Sequence, residues 1–320
     1  MKYLKSIVTF LFISLIFVSC STKKNSEKQQ LIVFHAGSLS VPFKQIKTEY
    51  EKTNPKVEIL LESAGSVKCA RKITELNREC DLMASADYTV IDELLIPDFA
   101  SWNIKFASNE MAIVYHKESK YANEINAHNW FEILLKDDVI FGRSDPNSDP
   151  CGYRAILTSQ LSEYYYSYEN LAEKIIAKNQ EYIRPKEVDL LALLESNTID
   201  YIFLYRSVAE QHGLIFITLP DSINLNNPEL ADFYKKAKLD ITGKQPGTKI
   251  TKTGQAMVYG LTIPSNAPNK VLAIDFVEFI LSEHKGMEIM NKNGQASMIP
   301  SKSETYSSIP EKLKQFANSN

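Results

Sequence analysis

The sequence predicts an α/β protein of two lobes with a ligand cleft between them. Three observations predict it. Two strand–Gly-Ser–helix units follow one another near the start, the pattern of a parallel sheet with crossover helices. The chain has 320 residues, 44% of them hydrophobic, which suffices for two cores of ordinary size. The succession of elements changes near residues 110–116 and again near 250–260, where the chain is expected to pass to a second lobe and to return.

The N-terminus differs from everything after it. Lys2 and Lys5 precede a nearly unbroken apolar run, Ile7 to Val18, and Ser19-Cys20 follows at once. The run is too short for an ordinary membrane span and reads as the core of a signal peptide. A small residue directly before a cysteine marks the lipoprotein type, so residues 1–19 are expected to be the signal and Cys20 the acylated first residue of the mature chain. The bland alternative is an ordinary secretory signal with Cys20 incidental. Residues 20–30, with three lysines and no apolar residue after Cys20, are expected to be a lipid-anchored tether.

The elements then follow in order. Leu31 to His35 reads as a buried strand, Ala36-Gly37-Ser38 as a turn, and Val41 to Glu51 as a helix with Ser40 as N-cap and Pro42 in its first turn. Val57 to Leu61 is a second strand, followed by Ala64-Gly65-Ser66 and a helix to Leu76. Asp81 to Ala84 is a third strand, and Asp87 heads the next helical stretch. Strand Met111 to Tyr115, helix Trp130 to Leu135, strand Val139 to Gly142 and the loop Arg143 to Asp149 come next. A long helix starts near Cys151, and helices Leu171 to Lys178 and Val188 to Glu195 precede strand Tyr201 to Leu204. Ala256 to Ile263 is a late apolar strand, and Val271 to Leu281 an amphipathic helix with Val271, Ile274, Phe276, Val277, Ile280 and Leu281 on its apolar side. The expected division is therefore 31–112 with 255–320 as the first lobe and 113–254 as the second. Ligands of such lobes bind at strand C-terminal ends, in the crevice between domains.

Charge and cysteine content narrow the function. The formal net charge is −3, with no basic stripe or Lys/Arg block, which excludes a nucleic-acid partner. Cys69, Cys80 and Cys151 form no CxxC pair, so zinc and redox signatures are absent. A Cys69–Cys80 disulfide is open in an oxidising compartment, but at this cysteine density the fold does not depend on it. The sequence holds no GxSxG, HExxH, Walker A or GxGxxG run, and its five histidines are scattered without ligand spacing. An enzyme is not expected.

Four features can carry chemistry. Gly37-Ser38 and Gly65-Ser66 each stand between a strand and a helix, where backbone N–H groups and a hydroxyl can face a small oxyanion. Read blandly, each serine only satisfies a turn or helix end. Asp149-Pro150 has the form of a helix start, Asp at N-cap and Pro at N1, and its polar, Pro-punctuated surroundings also suit a cleft loop. Glu187 heads Val188 to Glu195, where an acid favours the helix dipole. Tyr205 ends an apolar strand, either aiming its hydroxyl into a cleft or filling an interfacial core position.

These residues lie in runs that resemble a known family. Phe34-His35-Ala36-Gly37-Ser38-Leu39, Ser63-Ala64-Gly65-Ser66, Ala86-Asp87-Tyr88, Asp149-Pro150-Cys151-Gly152-Tyr153-Arg154, Tyr205-Arg206-Ser207-Val208-Ala209 and Val258-Tyr259-Gly260-Leu261-Thr262-Ile263-Pro264 are similar to the tungstate/molybdate-binding proteins of ABC transporters, archaeal-type branch. The likeness extends from residue 31 to about 300, and the DPCGYR run is its specific part. It implies a type II periplasmic-binding-protein fold, α/β with two lobes closing on the anion. It also implies a site of Gly37, Ser38, Ser66, Asp149, Pro150, Cys151, Glu187 and Tyr205. The match at Glu187 rests on its spacing to Tyr205, because the segment leading into it looks shorter than in archaeal relatives.

The resemblance further implies that Asp149 and Glu187 coordinate the Mo or W atom of the bound anion, expanding it from four to six oxygens. Mo(VI) and W(VI) are hard Lewis acids that accept oxygen ligands, whereas the sulfur of sulfate cannot. The same acids would attract the right ion and repel the wrong one. The implied protein is extracytoplasmic, at the cell surface or in the periplasm, anchored by lipid, and monomeric. It uses no cofactor and hands its ligand to an ABC permease. The alternatives are a binding protein for phosphate or sulfate, a secreted lipoprotein enzyme, and a structural surface protein.

Overall fold

The computed structural model describes residues 28–245 and 247–319, so the expected signal and Cys20 lie outside the described residues. Its strands are β1 (Gln29–His35), β2 (Val57–Ser63), β3 (Leu82–Ser85), β4 (Ile104–Ser108), β5 (Met111–Tyr115), β6 (Phe141–Ser144) and β7 (Ile183–Arg184). They continue with β8 (Tyr201–Tyr205), β9 (Ile215–Thr218), β10 (Lys238–Thr242), β11 (Lys249–Thr253), β12 (Val258–Thr262), β13 (Ser301–Ser303) and β14 (Ala317–Ser319). Two five-stranded sheets carry the architecture, in the orders β2-β1-β3-β12-β4 and β7-β6-β8-β5-β9. Two short pairs, β10-β11 and β13-β14, stand outside them.

Register decides where loops meet. In the first sheet β1 is parallel to β2 and β3, with His35 opposite both Ser63 and Ala84. The three strands therefore end at one edge, and the turns at Gly37, Gly65 and Ala86 come side by side. In the second sheet β6 is parallel to β7 and to β8. Their C-terminal ends deliver the Asp145–Asp149 loop, Glu187 and Tyr205 to one edge as well. With His35 meeting the Phe43 ring on one face and Phe34 lying under Lys72 on the other, burial of Leu31, Val33, Phe34 and Ile59 in one core with Phe43 and Ile46 of the helix Ser40–Thr53 anchors the first sheet. Each such side chain contributes about 1.5–3 kcal/mol. In the second, Trp130 meets Phe203 edge-on beside Phe141.

The chain leaves the first sheet after Ser108 and enters the second at Met111, so Met111 and Ala112 pair with β8 and β9 instead of belonging to the first lobe's expected span of 31–112. It returns as β12, antiparallel between β3 and β4. The C-terminal helices rejoin the first sheet's layer, where Tyr50 packs edge-on against Phe276 and Phe279. Buried Asp81 ties this return to β1, accepting from Ile32 N at 2.8 Å and Asn269 N at 2.6 Å. Asp81→Ala is expected to cost about 3 kcal/mol in urea unfolding, because two charge-assisted hydrogen bonds go and two buried N–H groups lose their acceptor. A midpoint unchanged from wild type would refute this.

Several local expectations need correction. Gln29 and Gln30, expected in the tether, are the first residues of β1, because Gln29 N still finds Lys56 O at 2.8 Å and backbone pairing continues where side-chain burial stops. Ser40 is not an N-cap: a 3-10 turn, Gly37–Leu39, runs directly into the helix, and the Ser40 hydroxyl pairs with Ser63 instead. The Val188 to Glu195 helix begins as a 3-10 turn, Glu187–Leu190. Val271 lies 77% exposed, since the helix Lys270–Leu281 buries Ala273 in its place. Cys69 and Cys80 are separate buried thiols. The hairpin β10-β11 gave no apolar signal, because its pattern is mostly exposed and polar.

Candidate functional site

Sheet register brings the predicted residues to one place between the lobes. Gly37 and Ser38 form the 3-10 turn after β1, and Glu187 of the second lobe lies directly against them. A Cβ at Gly37 would stand 2.7 Å from Glu187 Oε2 and 2.8 Å from Oε1. The second turn meets the other side of the same loop cluster: a Cβ at Gly65 would stand 2.2 Å from Ser148 O and 2.9 Å from Asp149 Cβ. Glycine is required at Gly65, where a Cβ would meet backbone of the other lobe, at an ordinary φ of −59°; at Gly37 a Cβ would displace the Glu187 carboxylate. The two lobes are thus closed on each other.

Asp149 combines the two readings its sequence context left open. It is the N-cap of the helix Pro150–Tyr166, accepting from Cys151 N at 3.4 Å, with Pro150 at the first turn. Its other oxygen accepts from Glu187 N at 3.0 Å, which ties the Glu187 turn to the helix start. Glu187 is different. Its side chain is wholly buried, and neither carboxylate oxygen has a hydrogen-bond partner among the described residues. The N–H groups of Ser38 and Glu187 are near but outside hydrogen-bond geometry. The Asp149 carboxyl, of the same sign when ionised, faces it. Burial first, and then the Asp149 charge, push the Glu187 carboxyl well above its ordinary range. Burial raises the Asp149 carboxyl too, against the hydrogen bonds it accepts.

The hydroxyls around this acid pair are donors by arrangement. Ser66 Oγ accepts from Ala86 N at 2.9 Å, which leaves its proton free. Tyr205 OH accepts from Arg154 Nη1 at 3.0 Å, and burial keeps the phenol protonated by pushing its pKa far up. Ser38 Oγ accepts from Tyr259 OH at 2.9 Å. Cys151 is buried with its thiol turned toward Phe203 O at 3.6 Å, so it contributes backbone to the helix start and not a thiolate. Pro150 supplies the helix start and no donor.

Residues that sequence reasoning did not select hold the lobes together beside the site. Arg154 Nη1 donates to Ala86 O at 2.8 Å, and its Nη2 lies 3.8 Å from Asp87 Oδ2. Tyr153 OH also donates to Asp87. Burial raises the Asp87 carboxyl, but the Lys252 and Arg154 charges outweigh it and keep the group ionised. Lys252, on β11, pairs with Glu93 of the first lobe and donates to Thr89 Oγ1 at 2.7 Å. Arg71 Nη2 reaches Thr242 O at 3.1 Å on the same hairpin. Asp87, Tyr153 and Arg154 stood in the quoted motif runs. Nothing in the polar hairpin announced Lys252.

The fold and site define a class: a two-lobed protein with a closed cleft, in which serine-bearing loops of one sheet edge meet buried acids of another. The chain belongs to the family described as bacterial extracellular solute-binding protein, which it matches over residues 31–295. That family consists of solute-binding proteins and not enzymes, and it works outside the cytoplasm. An uncharacterized solute-binding protein of Petrotoga mobilis is 47% identical over 98% of this chain and 96% of its own length. The molybdate/tungstate-binding protein WtpA of Pyrococcus abyssi is 42% identical over 92% of this chain and 91% of its own. The periplasmic molybdate-binding protein of Azotobacter vinelandii superposes with a TM-score of 0.59 at 14% identity, covering 83% of this chain and 98% of that one, a likeness of fold. Among the described residues no helix is long and apolar enough to cross a membrane.

Proposed function

We propose that this protein captures tungstate or molybdate outside the cytoplasm and delivers it to an ABC importer. The observation that carries the reading is the Glu187 carboxylate: wholly buried, without a hydrogen-bond partner among the described residues, and facing a second buried acid. An uncompensated acid pair in a closed cleft is costly. A hard, oxygen-seeking metal centre supplies what both acids lack. The hydroxyls of Ser38, Ser66 and Tyr205 suit the oxygens of the same ligand, each having its acceptor position already filled from within the protein. The ligand is cargo, and no resident cofactor is needed for its capture. The names of the WtpA relatives, which match over nearly their whole length, support the same ligand. Lipid attachment at Cys20 and action as a monomer belong to this reading, the first to keep the protein beside its permease.

Calorimetric titration tests it. Tungstate and molybdate are expected to bind, whereas sulfate and phosphate at ligand levels that saturate with tungstate are not. Comparable sulfate affinity would sink the coordination argument, because two carboxylates offer sulfate only repulsion. Asp149→Ala is expected to weaken tungstate binding strongly while the chain stays folded, losing the helix cap, worth about 1 kcal/mol of stability, and the acceptor for Glu187 N. Unchanged tungstate affinity in that variant would reduce Asp149 to a cap.

A further inference from the structure

Asn109 sits in the two-residue crossing between β4 and β5, where the chain passes from one lobe to the other. Its amide orientation is set from the second-lobe side. Oδ1 accepts from Glu110 N at 2.9 Å and from Ser207 N at 3.4 Å. Nδ2 therefore faces Ser207 Oγ at 2.7 Å and Tyr259 OH at 2.8 Å. An amide nitrogen can only donate. The Tyr259 oxygen is thus an acceptor toward Asn109, and its own proton goes on to Ser38 Oγ at 2.9 Å. Burial holds the Tyr259 pKa up at about 12, so that proton stays in place.

This chain of bonds has a direction, and it ends at the Ser38 hydroxyl. With Tyr259 donating to it, Ser38 Oγ has one lone pair filled and its proton turned away from Tyr259. Gln295 Nε2 donates to Ser38 O at 2.9 Å and holds the backbone of the same turn. We propose that Asn109 and Tyr259 are positioning residues that commit the Ser38 hydroxyl to donate to a bound oxyanion. This rests on the oxyanion reading of the cleft and deepens it. A hydroxyl already aimed needs no reorientation on binding, which is the advantage of a preorganised donor in a dry site. It also gives the lobe crossing a part in the chemistry: the amide that fixes the donor is itself held by N–H groups of Glu110 and Ser207.

The test is a double-mutant cycle on the full chain, with tungstate as the titrant and calorimetry as the readout. Tyr259→Phe keeps the ring and removes the donor to Ser38. It is expected to weaken tungstate binding by about tenfold, the scale of one charge-assisted hydrogen bond. In the Ser38→Ala background the same substitution is expected to change affinity by less than about twofold, because the group it positions is gone. Equal losses in both backgrounds would make Tyr259 a packing residue and overturn the proposal, as would no loss in the wild-type background. Asn109→Asp is the second arm, serving also if Tyr259→Phe does not fold. A carboxylate accepts where the amide donates, so Tyr259 would give its proton to residue 109 and draw the Ser38 proton away from the ligand. Its expected loss exceeds that of Tyr259→Phe and shrinks in the Ser38→Ala background; unchanged affinity would overturn the proposal. A wild-type chain that binds neither tungstate nor molybdate would remove the oxyanion reading and this inference together. A wild-type chain that binds, with a cycle showing no coupling, would remove only this one.

Discussion

Glu187→Gln is expected to weaken tungstate binding by at least about 100-fold, since even groups behind the direct metal ligands are commonly worth 10- to 100-fold. The same substitution is expected to leave the unliganded protein at least as stable as wild type. The reason is that Glu187 has no compensating hydrogen bond among the described residues. Its two oxygens have no such partner to lose, and an amide in their place removes a group whose charged form burial and Asp149 both disfavour. Glu187 is the cleaner of the two acids to change, because Asp149 also caps a helix and accepts from Glu187 N.

The pH dependence follows with a definite sign. In the closed unliganded form burial and the Asp149 charge raise the Glu187 carboxyl above its ordinary value of 4.5, so this form binds more protons than the open or unfolded one. Its stability is therefore fullest in acid and declines as pH climbs from that ordinary value through the raised one. The melting temperature of unliganded wild type is expected to fall across that window, and the Glu187→Gln variant to flatten the decline. Thermal unfolding from acid to neutral pH checks this. A variant that melts lower than wild type at neutral pH, or binds tungstate equally well, would show that the carboxylate has a structural partner after all.

Gly65→Ala is expected to prevent lobe closure without disturbing either lobe. The added Cβ would stand 2.2 Å from Ser148 O and 2.8 Å from Ser148 C, backbone atoms of the opposite lobe that cannot swing aside. The Lys68 N to Ser148 O bond of 3.2 Å spans the same contact and would be lost with it. Within its own lobe Gly65 has φ −59° and ψ 142°, which alanine adopts freely, so folding of the first sheet is not taxed. Overpacking of about 1–3 kcal/mol at the closed contact corresponds to about ten- to a hundredfold in affinity. Small-angle scattering separates closure from folding. With tungstate the wild-type chain should be compact and the variant more extended, with unfolding midpoints nearly equal. Equal compactness of the two would show that the loop Asp145–Asp149 can yield.

Much of the central strands of both sheets was legible because their signals are local. Leu31 to His35 and Met111 to Tyr115 are buried runs bounded by turn residues, and β1 and β5 appear where those runs stand. Asp149-Pro150 announced a helix start that the structure contains, because an N-cap and a fixed φ act within one turn. Ser40 failed as a cap because the preceding turn was already helical, a fact of tertiary packing at Gly37. Val271 failed because apolar periodicity says which residues share a face, not how far along the helix that face stays covered. Lys252 and the polar hairpin carrying it gave no signal, since strands paired outside the sheets need no apolar alternation.

The strands β1, β2, β3, β5, β6, β8 and β12, the two glycine-serine turns and the helix start at Asp149 were determined by the sequence alone, through propensities and patterns spanning a few residues each. That Glu187 stands without a partner against Gly37, that Gly65 touches Ser148, and that Asn109 speaks to Ser38 through Tyr259 were decided only by tertiary structure. These contacts join residues 150 positions apart between Asn109 and Tyr259 and 221 apart between Ser38 and Tyr259. Burial and charge at such a contact depend on which sheet edges face each other, and no local pattern encodes that.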